Sequence, residues 1–82
     1  MIEFKTWPKY YRAIVSREKA FEFRLDDKGA RVGDTILLRE WDNSFKCRGY
    51  TGNSIKKKIT FRVVLDDFDS EGFILGFEGA GA

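Results

Sequence analysis

The residues of this chain best suited to chemistry lie close together: Lys19, Glu22 and Arg24, in the stretch Lys19-Ala20-Phe21-Glu22-Phe23-Arg24. The stretch alternates apolar and polar side chains, so Glu22 and Arg24 project from one face of a strand. A guanidinium offers a planar fork for phosphate or a base edge. A carboxylate can accept from an exocyclic amine such as cytosine N4. Lys19 stands where a preceding helix gives way to the strand, within reach of an anion. From the residues alone, Glu22 and Arg24 read first as an ion pair that orders the strand, with ligand contact as the alternative. If the site is catalytic, Lys19 and Glu22 are its candidates. Glu22 would act as a general base on water if burial raised its pKa, while Arg24 beside it favours the charged form.

The rest of the composition narrows the options. The chain has 82 residues, no histidine and one cysteine, Cys47. Ser-His and Cys-His nucleophile pairs are therefore excluded. So are zinc sites built from His and Cys, and no metal or cofactor is expected. A single cysteine forms no internal disulfide, and with neither a signal-like apolar segment nor a bilayer-length run the chain reads as cytoplasmic. Aromatic residues make up 16% of the sequence, enough large apolar area for a compact core without metal or disulfide. Residues 1–82 read as one domain.

The net charge of +2 conceals a strong segregation. Residues 46–62 carry Lys46, Arg48, Lys56, Lys57, Lys58 and Arg62 with no acid; residues 63–82 carry Asp66, Asp67, Asp69, Glu71 and Glu78 with no base. Phe45 and Tyr50 stand among the cations. Cations interleaved with aromatics are the components of a single-strand nucleic-acid platform, so these six basic residues are candidates for contact with a nucleic-acid backbone. Alternatively, the lysine run guards a strand edge, or pairs with the acidic tail.

The elements that must position these groups follow from periodicity. Ile2–Lys5 alternates as a strand. Pro8 suits the first turn of a helix over about 8–17. Lys19–Leu25 and Thr35–Trp41 read as strands, with turns at Asp26–Gly29 and Arg31–Asp34. Asp42–Ser54 reads as a loop, or as a hairpin with a long tip. Lys56–Leu65 is the strongest strand pattern, with Ile59, Phe61, Val63 and Leu65 on one face. A loop at 66–72, a strand at 73–78 and a frayed tail at 79–82 complete the chain. Phe61, Phe73 and Phe77 are expected in the core. Trp7 is expected to pack the helix against the strands, and Trp41 either to line a cleft or simply to end its strand. Five short strands and one early helix indicate a mostly β fold, a closed or nearly closed barrel, with a flat α+β sheet as the competing architecture.

Several of these segments together resemble the ASCH (activating signal cointegrator homology) superfamily, and within it the short bacterial and phage members. They are Phe4–Tyr11, Lys19–Arg24, Val32–Thr35 and Leu38–Asp42, with Gly72–Phe77 closing the pattern. The resemblance covers about residues 2–78. It implies a small PUA-like β-barrel and an RNA- or nucleotide-binding module in transcription, RNA processing or translation. The superfamily pattern G-x-K-x-x-E-x-R, entering a strand beside a cleft, is matched by Lys19, Glu22 and Arg24. Its glycine position holds Arg17, which adds a charge beside the implied ligand site of Lys19, Glu22, Arg24, Arg17 and Trp41. Some members are amidohydrolases that remove the acetyl group of N4-acetylcytidine with a Lys, a Thr three residues later and a distant Glu; others are ribonucleases. Here the third residue after Lys19 is Glu22, so that hydroxyl is missing and binding is favoured over catalysis.

Overall fold

The computed structural model describes residues 1–65 and 72–77. The elements run β1 (Ile2–Thr6), α1 (Pro8–Val15), β2 (Phe21–Arg24), β3 (Thr35–Asp42), β4 (Gly49–Leu65) and β5 (Gly72–Phe77). The expected loop at 66–72, except Gly72, lies outside the described residues, as do Glu78 and the tail 79–82.

Alternation places Phe4, Ile36 and Leu38 on the inner face, where Ile59, Leu75 and Phe77 join them. Pro8 opens the helix at its first turn, where no N–H is required. Tyr11 and Ile14, three residues apart, then face inward, and Ile14 and Ala30 complete the core.

The five strands form one mixed sheet in the order β1-β3-β4-β5-β2. Only β1 and β3 are parallel, with Phe4 beside Leu38. β4 carries two antiparallel ladders end to end, residues 49–58 against β3 and residues 59–65 against β5. The expected closed barrel is not formed. The outermost strands, β1 and β2, share no ladder, and side chains alone cross the gap between them.

The tip of the β3–β4 hairpin takes the second of its two expected forms, with Asp42 opposite Gly49. β4 therefore begins seven residues before the Lys56 start that alternation suggests. Two irregularities decide which side chains it turns inward. In the first, Arg39 faces Ser54 while Trp41 faces Tyr50, so β4 holds two surplus residues. Gly52, at φ 96°, supplies the backbone conformation this needs. The surplus is held by buried Glu40, whose Oε1 accepts from Thr51 Oγ1 at 2.8 Å and Asn53 Nδ2 at 3.0 Å.

The second irregularity is a one-residue bulge between Ile59, opposite Phe77, and Phe61, opposite Gly76. One extra residue inverts the alternation beyond it. Phe61, expected in the core, therefore lies outside at 47% exposure, with its ring over Gly76. Phe73 is half-buried beneath the Arg62 guanidinium, 4.7 Å from its ring centroid, and Phe77 alone of the three is fully buried.

The same inversion brings Arg62 to Asp27. Asp27 Oδ2 accepts from Arg62 Nε at 2.8 Å and from Arg31 Nη1 at 3.2 Å, and Oδ1 accepts the Gly29 N–H at 2.9 Å. The Gly29 N–H and the Arg62 guanidinium hold the Asp27 carboxyl below its ordinary pKa. A depressed carboxyl pKa stabilises the fold fully above the unfolded value, about 4, and less as pH falls below it. Asp27→Asn should therefore cost about 2 kcal/mol at neutral pH, since it leaves Arg62 without its charged partner. In urea unfolding, the difference from the unsubstituted protein should shrink steadily below about pH 4.

Candidate functional site

The gap between β1 and β2 is a cleft of about 710 Å³, within the range of small-ligand sites. Phe4, Lys5 and Thr6 form one wall, and Glu22, Phe23 and Arg24 form the other. Trp7 and Tyr10 stand at its helix end. Trp7 does not pack the helix against the sheet as expected. It follows Thr6, the last inward residue of β1, and so emerges on the other side, 52% exposed and stacked on Tyr10 with centroids 6.3 Å apart.

Glu22 is the centre of the site. It lies opposite Leu75 on the inner face of β2 and is only 6% exposed. Its Oε1 is 3.5 Å from Lys19 Nζ; its Oε2 is 3.5 Å from Arg24 Nη2 and accepts from Thr6 Oγ1 at 3.4 Å. All three separations exceed the usual hydrogen-bond length, so the carboxylate is surrounded without being tightly engaged. Arg24 reaches across the gap to donate to the Lys5 carbonyl, with its guanidinium 4.7 Å from the centroid of Phe4. Its Nε is buried with no acceptor among the described residues. Burial lowers the Arg24 pKa and Glu22 opposes that shift; the guanidinium stays charged. Lys19 Nζ lies 4.6 Å from the centroid of Tyr10.

Of the five expected ligand residues, the structure brings Lys19, Glu22 and Arg24 together and leaves two apart. Arg17 is exposed just beyond the helix and is absent from the cleft wall. Trp41 lies on the outer face of β3, packed edge-on to Tyr50 at 4.9 Å and capped by Lys5 Nζ at 4.0 Å. The cleft also contains residues that sequence reasoning missed. Thr6 and Lys28 come from segments distant in the chain, and no spacing rule connects them to Glu22. Lys28 Nζ donates to the Glu3 carbonyl at 2.6 Å.

The six basic candidates also separate. Lys46, Arg48, Lys56 and Lys58 are exposed. Lys57 alternates with them, opposite Ile36, and is buried. Arg62 is committed to Asp27. Among the described residues no cluster of His, Cys, Asp and Glu could hold a metal, and no helix is long and apolar enough to cross a membrane.

Residues 1–77 match the model of a family described as a domain of unknown function, DUF3850, and the chain belongs to that family. It is similar to an uncharacterised 12.9 kDa protein of Escherichia phage P2, with 32% identity over 66 residues, 80% of this chain. The matched region is 57% of that relative's length.

Arg17 has φ 70°, in the left-handed region that favours glycine. It follows the helix end, where its N–H donates to the Ile14 carbonyl at 3.2 Å. Arg17 thus occupies a backbone position suited to glycine. Arg17→Gly should stabilise the protein by up to about 1 kcal/mol, measured by thermal unfolding. Arg24→Lys should cost about 1–2 kcal/mol, because a strongly hydrated ammonium does not reproduce the planar guanidinium that lies over Phe4 and sets Nη2 between the Lys5 carbonyl and Glu22. Amide exchange should rise first in β1 and β2.

Proposed function

We propose that this member of the DUF3850 family is a small RNA- or nucleotide-binding module that seats a base in the β1–β2 cleft. The observation that carries this reading is a buried but loosely engaged carboxylate, Glu22, beside a buried donor without an acceptor, Arg24 Nε. An unsatisfied buried donor costs about 1–3 kcal/mol, which a ligand acceptor reaching it would recover. An exocyclic amine presented to Glu22 and a neighbouring ring acceptor presented to Arg24 would satisfy both groups, as the Watson–Crick edge of cytosine does. Lys19 would face the anionic part of the ligand, and the exposed Trp7 ring offers a stacking surface at the mouth. The superfamily resemblance supports the same reading, because its Lys, Glu and Arg positions fall on three charged residues that meet in this cleft. A PUA-like relationship belongs to this proposal: the curled sheet, with its two edge strands facing each other, is compatible with an opened form of such a barrel.

A second reading is favoured by one observation. The hydroxyl missing after Lys19 has a counterpart in Thr6 Oγ1, 3.4 Å from Glu22. Lys19, Glu22 and Thr6 thus assemble the residue types of the superfamily's amidohydrolases from different positions. In that chemistry, Glu22 would take a proton from Thr6 or from water as it attacks the acetyl carbonyl, Lys19 would stabilise the oxyanion, and Glu22 would return the proton to N4 as the C–N bond breaks; an acetyl ester formed on Thr6 would then be hydrolysed by water to acetate.

Calorimetric titration with CMP and UMP tests the leading reading. CMP should bind about tenfold more tightly than UMP, which lacks the exocyclic amine, and Glu22→Gln should erase that difference. Equal binding of the two, or none, would defeat it. Release of acetate from N4-acetylcytidine, abolished by Thr6→Val, would instead establish the hydrolase.

A further inference from the structure

We infer that the outer face of the β1–β3–β4 half-sheet is a second contact surface, one that binds the backbone and bases of a single-stranded nucleic acid. The inference rests on the reading above only for the class of its partner, and Lys5 alone borders both surfaces. Register places Lys5 beside Arg39, Trp41 opposite Tyr50, Arg39 opposite Ser54, Leu37 opposite Lys56 and Thr35 opposite Lys58. All these side chains lie on the face away from the core.

Three features make this face more than a solvated surface. The first is charge. Lys5, Arg39, Lys56 and Lys58 share it, and Glu3, 3.2 Å from Arg39, is the acid that register places among them. Among the described residues Lys5, Lys56 and Lys58 have no carboxylate within ion-pair distance. The second is a continuous cation–aromatic ladder. Lys5 Nζ lies 4.0 Å from the centroid of Trp41, Trp41 meets Tyr50 edge-on, and the Arg39 guanidinium stacks 3.7 Å from the centroid of Tyr50. Such a ladder presents stacking surfaces between phosphate partners, which single-strand binding requires. The third is alignment. Lys56 and Lys58 project from alternate positions of one strand, roughly 7 Å apart, and the same strand leads back to Tyr50. Beyond Tyr50 the hairpin tip carries exposed Phe45, Lys46 and Arg48. The charge and the aromatic groups thus form a line, the shape of an extended strand and not of a compact anion.

An alternative role for the ladder is purely internal, bracing the sheet through cation–π pairs. That role needs neither Lys56 nor Lys58, so removing these two distinguishes the alternatives.

Fluorescence anisotropy with labelled octauridylate across a salt series supplies the test. Uracil lacks the amine that Glu22 would read, so octauridylate engages the cleft weakly, and the Lys56, Lys58 and Tyr50 variants, which leave the cleft intact, report the outer face. The log–log salt slope should approach about −3, for four cations at about 0.7 each, and Lys56→Ala/Lys58→Ala should halve it. Tyr50→Ala should weaken binding about tenfold with the slope nearly unchanged, whereas Tyr50→Phe, which keeps the ring, should bind like the unsubstituted protein. Glu22→Gln should leave octauridylate binding intact, so loss of CMP recognition and loss of strand binding are read separately. Absence of octauridylate binding at low salt, an unchanged slope in the double variant, or full binding by Tyr50→Ala would overturn the proposal. So would equal displacement, charge for charge, by poly-glutamate, which would mark a generic polyanion patch.

Discussion

The structure depends on the contact that Arg24 makes across an unzipped seam. β1 and β2 are the two edges of the sheet, and in a closed barrel a backbone ladder would join them. Here the Arg24 guanidinium donates to the Lys5 carbonyl and leaves the remaining space as a cleft. A ladder would satisfy every backbone group along the join; one side chain satisfies a single carbonyl and holds the edges apart. The cleft, its charge and its aromatic mouth all follow from that substitution. Glu22 makes it tolerable, since a partly buried guanidinium requires an anion nearby.

Three buried carboxylates mark the three places where the sheet departs from regularity. Glu40 clamps the surplus residues of β4, Asp27 ties the turn before β3 to the bulged half of β4, and Glu22 sits at the seam. The first two have close partners at 3.0 Å or less. Glu22 differs, with no partner nearer than 3.4 Å. Structural carboxylates are engaged tightly by the groups they order, and a carboxylate left loose inside a cleft is free to engage a ligand. That contrast separates Glu22 from its neighbours more clearly than burial alone, because all three are similarly withdrawn from solvent.

The cations of the chain are sorted by the fold and not by their order in the sequence. The basic stretch 46–62 does not act as a block. Strand alternation sends Lys57 inward and the bulge sends Arg62 to Asp27, while Lys5 and Arg39, from segments with no net basic character, join Lys56 and Lys58 on the outer face. Trp41 moves likewise from the cleft envisaged for it to that face.

Local pattern was a sound guide to the elements. The helix opened by Pro8, the alternation of β1, β2 and β3, and the meeting of Lys19, Glu22 and Arg24 were all legible, because each depends on residues within a few positions of one another. Phe61, Trp7 and Arg62 were not. Phe61 and Arg62 change faces because a single extra residue shifts the pairing against β5, and no side chain in β4 announces that shift. Trp7 turns outward because β1 spends its last inward position on Thr6. Thr6 itself could not be linked to Glu22, since only the curl of the sheet brings them within 3.4 Å across a separation of 16 residues. The sequence by itself therefore determined the strand and helix segments and the charged trio, through short-range periodicity. The open seam, the bulge parity and the sorting of cations between core, clamp and outer face were decided by tertiary structure, because strand register is settled by pairing between distant segments.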